Sequence, residues 1–168
     1  NALFVTMLTG ITNIVTTLLA MALVDRLGRK PLLLVGSLGM AFTLGLMAWC
    51  FTTATLDASG APVLSTGMGR LALVAANLYV FFFGCSWGPV VWVLLGEMFN
   101  NKIRAAALSL GAGIQWVANF LVSTSFPPMS QNLGLGISYA VYAAFATLSF
   151  VFVLKWVQET KGKELEAM

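Results

Sequence analysis

The chain has 168 residues, 59% of them apolar, and its mean hydropathy is +0.90. Only 9% of its residues are charged, whereas about a quarter of a soluble domain is charged. The nine basic and six acidic residues are grouped between long apolar runs. This pattern excludes an ordinary soluble domain and indicates a protein that lies in a lipid bilayer.

Five apolar stretches are long enough to cross a membrane, since about 20 helical residues span roughly 30 Å of hydrocarbon. In chain order they cover approximately residues 2–24, 31–53, 71–95, 105–126 and 134–157. None has the alternating pattern of barrel strands, and unpaired backbone groups find no water in the bilayer core. The predicted fold class is therefore all-α, a polytopic membrane protein with five transmembrane helices.

The sequence lacks the residues from which most active sites are built. It has no histidine, and the carboxylates nearest to the spans, Asp25, Glu97 and Glu159, lie at span ends. Cys50 and Cys85 lie inside apolar stretches without the spacing of a metal site, so we expect packed thiols. Without a base, a nucleophile or a metal cage, we expect neither an enzyme, nor a metal site, nor a cofactor.

The charged residues predict how the chain crosses the membrane. Eight of the nine basic residues fall in the connection 25–30, in the connection 98–104, or after residue 154. The connections 54–70 and 127–133 are poor in charge. The positive-inside rule places the basic segments, and with them the C-terminus, in the cytoplasm. The net charge of +3 thus reports topology and not nucleic-acid binding.

Polar and small residues line one face of the first predicted span. They recur at three- or four-residue spacing and comprise Thr6, Thr9, Gly10, Asn13 and Thr17. Two interpretations remain open: close helix packing with interhelical hydrogen bonds, or the wall of a polar cavity. Asn13 favours the cavity most, because its amide is the costliest of these groups to leave unpaired in lipid.

The third predicted span carries glycines and a proline around one tryptophan. Gly84, Gly88, Trp92 and Gly96 recur every four residues, and Pro89 removes a backbone donor among them. The pattern predicts a kinked or unwound helix, and such interruptions often accompany a binding site near the membrane midplane. Trp92 would then offer a stacking surface; the alternative is an ordinary packing or interfacial tryptophan.

The fourth predicted span has a polar face of its own. Its members are Ser109, Ala112, Gln115, Trp116, Asn119 and Ser123. Gln115 and Asn119 lie one helical turn apart, so their amides point the same way, beside the ring of Trp116. Amides and indoles can recognise the hydroxyl rim and the C–H faces of a sugar without any charge. An interhelical amide network is the alternative.

Four motifs in chain order resemble those of one transporter family. They are D-R-L-G-R-K at 25–30, G-P-V-V-W at 88–92, E-M-F with Arg104 from residue 97, and E-T-K-G at 159–162. The chain resembles the sugar porter branch of the major facilitator superfamily over essentially its whole length, and most closely bacterial xylose and hexose proton symporters. It departs from the motifs at Asn100 and Gln158, where the family usually has proline.

The resemblance implies a fold and a substrate site. The five spans would correspond to helices 8–12 of a twelve-helix fold, so we expect the N-terminal six-helix half and helix 7 to be missing from this chain. The first stretch also lacks the basic start of a signal peptide. Carried over to this sequence, the family's sugar contacts fall on Trp92, Gln115, Trp116, Asn119 and Asn13.

The resemblance also implies a mechanism, namely alternating-access transport of a pentose or hexose across the cell membrane, coupled to a proton. We further expect a cytoplasmic gate in which Arg26, Arg29 and Arg104 hold Glu97 and Glu159 through forked hydrogen bonds. Plain topology-setting charges are the alternative for the arginines. Three other functions remain open: a porter for another polyol or organic solute, a sugar sensor without transport, and a structural membrane fragment.

Overall fold

The computed structural model describes residues 2–57 and 62–161, and it is built almost wholly of helices. The helices are α1 Ala2–Leu27, α2 Arg29–Thr52, α3 Thr66–Cys85, α4 Trp87–Met98, α5 Arg104–Asn132 and α6 Gly134–Trp156. Helices α3 and α4 together form one apolar span, so five membrane-crossing segments result. The all-α fold and the five spans are therefore confirmed. Residues 58–61 and the tail beyond Lys161, including Gly162 and Lys163 of the predicted motif and basic tail, lie outside the described residues.

The connection between α2 and α3 contains a small hairpin that the sequence does not predict. Strand β1, Thr55–Leu56, pairs antiparallel with β2, Pro62–Val63. Helix α3 then begins after Ser65, whose hydroxyl accepts a hydrogen bond from the backbone N–H of Met68 at 3.3 Å. Such a cap satisfies one of the helix's unpaired N–H groups.

The joint between α1 and α2 is tighter than predicted. The sequence predicts a connection over residues 25–30, but both helices continue until Gly28 alone separates them. Gly28 has φ +95°, a conformation that only glycine adopts without strain. Asp25 and Arg26 therefore lie on the last turn of α1, at a fixed distance from the start of α2.

The predicted connection 127–133 is wrong, because α5 continues to Asn132 and only Leu133 separates it from α6. Pro127 and Pro128 lie inside this helix. Its 29 residues extend about 43 Å, against roughly 30 Å of hydrocarbon. The helix is thus longer than the hydrocarbon core, and both prolines fall in its last two turns.

The predicted interruption of the third span is confirmed. Ser86 has φ −130° and ψ −89°, which ends α3 and lets α4 begin at Trp87. Helical hydrogen bonding begins again directly after the break, since the Val90 N–H donates to the Ser86 carbonyl at 2.9 Å. Pro89 falls in the first turn of α4, where backbone N–H groups have no acceptor within the helix, so the N–H that proline lacks is not missed there as a hydrogen-bond donor.

Helix α2 occupies the centre of the bundle and packs most extensively on α6 and α3. Two groups of buried residues lie along it. The Leu33 cluster centres on Leu33, Val90 and Val153, and the Met40 cluster on Met40, Leu44 and Ala146. By contrast, α5 contributes no buried side chain to the described part of the chain.

Glycines let the backbones approach closely at the break. A Cβ atom on Gly36 of α2 would lie 1.8 Å from the Ser86 hydroxyl oxygen, and one on Gly84 would lie 2.3 Å from that of Thr16. Small residues of this kind allow the van der Waals packing that holds membrane helices together. The break is thus enclosed by α1 on one side and α2 on the other.

We predict that Gly36→Ala destabilises the bundle by about 1–3 kcal/mol, because the added methyl overlaps the buried Ser86 side chain. Gly45→Ala on the same helix is the matched control, since nothing lies within 4 Å of its Cβ position. That change should leave stability equal or raise it through helix propensity. Melting temperatures in detergent measure both, and equal values would contradict the close packing at Gly36.

Candidate functional site

One group of charged residues joins the ends of α1, α2 and α4. The buried Arg29 guanidinium forms a fork on Glu97: Nε donates to Oε2 at 2.9 Å and Nη2 donates to Oε1. Its Nη1 donates to the Val24 carbonyl at 3.1 Å, and Nη2 lies 3.3 Å from Asp25 Oδ1. The planar, permanently charged guanidinium is suited to holding a carboxylate at two points.

Glu159, from the segment that follows α6, caps α2 across the bundle. Its two carboxylate oxygens accept the backbone N–H groups of Arg29 and Lys30, each at 3.0 Å. Those groups have no partner within the helix, and the helix dipole also favours a negative charge there. A Cβ atom at Gly28 would lie 2.7 Å from Glu159 Oε2, so only glycine leaves room for this carboxylate.

The pKa of Glu159 lies below its usual range. Partial burial opposes ionisation, but hydrogen bonds from backbone N–H groups to the carboxylate outweigh it. The donors belong to Lys161, Arg29, Lys30 and Thr160. The ionised form is therefore the one that the folded chain stabilises.

The C-terminal segment makes two more contacts with this cluster. The buried Thr160 hydroxyl donates to Glu97 Oε2 at 2.6 Å, so Glu97 is held from α2 and from the tail at once. The Lys161 ammonium donates to the Arg26 carbonyl. We call Asp25, Arg29, Glu97, Glu159 and Thr160 the charge cluster. It fixes α1, α2, α4 and the tail to one another.

The cluster contains three of the five predicted gate residues, namely Arg29, Glu97 and Glu159. The other two hold neither carboxylate in this structure, which corrects the expectation from sequence. The Arg26 side chain is exposed on the last turn of α1, and it is the Arg26 backbone carbonyl that accepts from the Lys161 ammonium. Arg104 begins α5 and donates through Nε to the Phe99 carbonyl at 3.3 Å, stabilising the short connection 99–103 instead.

A mostly apolar cavity with polar side chains in its wall lies beside the break in the third span. It has a volume of about 390 Å³ and is lined by Asn13 and Thr17 of α1 together with Gly84, Gly88 and Pro89. The sequence singled out these elements separately, and the structure brings them together. A cavity of this size falls in the range of small-molecule sites.

The other predicted sugar contacts lie on exposed faces of α4 and α5. Trp92 is 37% exposed and Trp116 73% exposed. Gln115 and Asn119 are also exposed, one turn apart on the same helix. The two helices meet where Gly111 approaches Leu95, since a Cβ there would lie 3.0 Å from the leucine methyl. Asn13 is separate from this face, because it lines the cavity beside the break.

Sequence reasoning missed a hydrogen-bonded group at the start of α4. The Trp87 indole N–H donates to the Ser37 hydroxyl at 2.8 Å, and Ser149 of α6 lies 3.0 Å from the same oxygen. Ser37 is fully buried. A single serine in an apolar run, such as Ser37, is usually interpreted as a small packing residue. Its partners Trp87 and Ser149 are 50 and 112 residues away in sequence. No local spacing could have revealed them.

The fold and the site define a multi-pass membrane protein of the helical carrier class. The chain belongs to the sugar transporter family: the family model described as "Sugar (and other) transporter" matches residues 1–168. It is thus a member of a transporter family and not of an enzyme family. The resemblance to sugar porters of the major facilitator superfamily is confirmed.

Curated relatives cover the whole chain. A glucose transport protein of Synechocystis sp. is 59% identical over 168 residues, which are 100% of this chain and 36% of that protein. A D-xylose-proton symporter of Escherichia coli K12 is 42% identical over 99% of this chain and 33% of its own length. The chain therefore spans about a third of the curated relatives it matches.

Solved structures agree on the fold. The proton:xylose symporter XylE bound to 6-bromo-6-deoxy-D-glucose has a TM-score of 0.81 and 41% identity, over 99% of this chain and 34% of that one. The inward-open xylose transporter XylE from E. coli also has a TM-score of 0.81, with 42% identity over 97% of this chain and 34% of that one. The major facilitator fold predicted from the motifs is confirmed.

We predict a pH dependence that comes from Glu159. Because the folded chain lowers the pKa of this carboxylate, its stabilising effect is complete above the ordinary carboxyl pKa and is lost as pH falls through the lower folded-state value. The melting temperature of the native chain should thus exceed that of Glu159→Gln at pH 7, and the difference should shrink below about pH 4. A difference independent of pH would contradict the role of the charge.

Proposed function

We propose that these residues form the C-terminal part of a carrier that moves a monosaccharide, a pentose or a hexose, across the membrane by alternating access. The observation that carries the proposal is the exposure of Trp92 on α4 and of Gln115, Trp116 and Asn119 on α5, two helices that meet at Gly111 and Leu95. If the carboxamides of Gln115 and Asn119 faced lipid, they would lack hydrogen-bond partners, and their transfer from water would cost free energy. A wet, sugar-sized cavity between two halves of a carrier would satisfy them.

The chemistry of this face suits a neutral sugar. A pyranose ring offers donors and acceptors around its rim, which Gln115 and Asn119 can match, and apolar C–H faces, which Trp92 and Trp116 can stack against. Among the described residues, no charged side chain lies in the middle of a span. The named relatives transport glucose or xylose, in agreement with such a substrate.

The rest of the carrier would come from segments that the full-length relatives have and this chain does not cover. A groove of about 560 Å³ runs between α2, α3 and α6 and is lined by Met40, Tyr79, Trp87, Tyr142 and others. We place a further transmembrane helix there, because a helix would bury this apolar, aromatic surface. The N-terminal six-helix half would cover the exposed face of α5.

Proton coupling is part of the proposal. The E. coli relative is named a D-xylose-proton symporter, at 42% identity. Because the described spans carry no acid at mid-membrane, the residue that binds the proton would belong to the remainder of the carrier. No metal or organic cofactor is needed for this activity.

We place the carrier in the plasma or inner membrane with the charge cluster and the C-terminus in the cytoplasm. The basic connections on the side of Arg29 and Lys102 support this orientation under the positive-inside rule. In that orientation the cluster of Arg29, Glu97 and Glu159 closes the cytoplasmic side of the substrate path. Inward opening would have to loosen these contacts, so they favour the outward-facing state.

We predict that Trp92→Ala and Gln115→Ala each weaken sugar binding by tenfold or more in the complete carrier, because each removes a stacking surface or a bidentate amide worth about 1–3 kcal/mol. Counterflow of labelled xylose and glucose in vesicles measures transport, and sugar protection of tryptophan fluorescence measures binding. Trp156→Phe, at an exposed position far along α6, is the control. Sugar binding without counterflow would identify a sensor, and the absence of both would leave a structural protein.

For the gate, we predict that Arg29→Leu and Glu97→Gln reduce uptake by at least tenfold, since each leaves a partly buried charge unpaired. Arg104→Leu is the matched control at a second cytoplasmic arginine, and it should change uptake less than twofold because Arg104 holds no carboxylate here. Uptake assays on equal amounts of folded carrier measure all three. Normal uptake in both Arg29→Leu and Glu97→Gln would remove the gate.

A further inference from the structure

Trp87 occupies an unusual position at the break in the third span. It is the first residue of α4, directly after Ser86. Its ring packs against both the Leu33 cluster and the Met40 cluster. The indole thus contacts two separate regions of the core at the point where the backbone of the span is interrupted.

The indole N–H is held by a defined hydrogen-bond chain. Ser149 donates its own proton to the Ala146 carbonyl at 2.7 Å. The Ser37 hydroxyl therefore accepts from Trp87 at 2.8 Å and donates to Ser149 at 3.0 Å. These hydrogen bonds link α4 to α2 and α6, and they orient the half-buried tryptophan ring.

Helix α4 is consequently tethered at both ends. Its start is held by Trp87, and its end by Glu97, which binds Arg29 and Thr160. Trp92 lies five residues after Trp87 and five before Glu97. Because Ser86 interrupts the helix, the orientation of α3 alone does not fix the rotation of α4 about its axis.

We infer that Trp87 is a positioning residue for the sugar site. Its bond to Ser37 fixes the rotation of α4 at the break, and with it the place of the Trp92 ring five residues away. This inference rests on the proposed function of Trp92 as a sugar contact. In this inference Trp87 acts through α4 and not by contact with the sugar: its N–H is bound to Ser37, and its ring lines the groove between α2, α3 and α6.

The test compares sugar half-saturation in vesicles that contain the complete carrier. Trp87→Phe keeps a ring but loses the N–H donor, and Ser37→Ala keeps the ring and loses the acceptor. Each should raise the half-saturation concentration about fivefold, the equivalent of one hydrogen bond of about 1 kcal/mol. Because both remove the same bond, the double variant should be no worse than either single variant. Trp156→Phe is the matched control and should leave the value unchanged.

Three results would overturn the inference. Half-saturation that stays unchanged in Trp87→Phe and Ser37→Ala, while the melting temperature falls, would make Trp87 a packing residue only. Effects that multiply to about 25-fold in the double variant would mean that the two residues act independently. If Trp92→Ala also leaves half-saturation unchanged, the proposed function fails too; if Trp92→Ala weakens binding, that function stands and only the inference about Trp87 is lost.

Discussion

Helices in a bilayer are not driven together by the hydrophobic effect, because lipid tails are as apolar as leucine side chains. The bundle therefore depends on close backbone approach and on polar contacts between helices. Both occur around α2: Gly36 admits Ser86 at the break, Ser37 accepts the Trp87 indole, and Arg29 holds Glu97. These three contacts lie on one helix that also packs on α6, so α2 provides the frame against which α4 is positioned.

The same frame explains why the chain has two different surfaces. Helix α2 has eleven buried residues, whereas α5 has none within the described chain. An isolated α5 in lipid would expose the amides of Gln115 and Asn119 without partners. In the proposed carrier this surface would border water and sugar, which would remove that cost and place α4, with Trp92, between the α2 frame and the substrate path.

The sequence predicted most of the fold because length and apolar content dictate membrane helices. Gly84, Gly88 and Pro89 also predicted the break, since glycine and proline act through the local backbone. The same local reasoning was wrong for Pro127 and Pro128, because proline inside a helix can kink it without ending it, and α5 continues through both to Asn132. For the charge cluster, the grouping of basic residues predicts that these arginines share one side of the membrane, but Arg26, Arg29 and Arg104 are equivalent in sequence. Tertiary structure distinguishes Arg29 from the other two. The positive φ of Gly28 places Arg29 at the start of α2, and the tail brings Glu159 to its backbone N–H.

The contacts that sequence could not reveal are those that couple the ends of α4. Ser37 and Ser149 carry no motif, and Thr160 reaches Glu97 from 63 residues away. A helix of 12 residues held at two points about 15 Å apart can rotate only if one tether yields. In the charge cluster the Asp25 and Glu97 side chains are 76% and 32% exposed, so water can replace a lost partner there, whereas the Ser37 hydroxyl that accepts from Trp87 is fully buried, and a lost partner is costly there. In the proposed carrier, the Glu97 end of α4 would thus be the end that moves between states, and the Trp87 end would be the pivot that keeps the Trp92 ring in place.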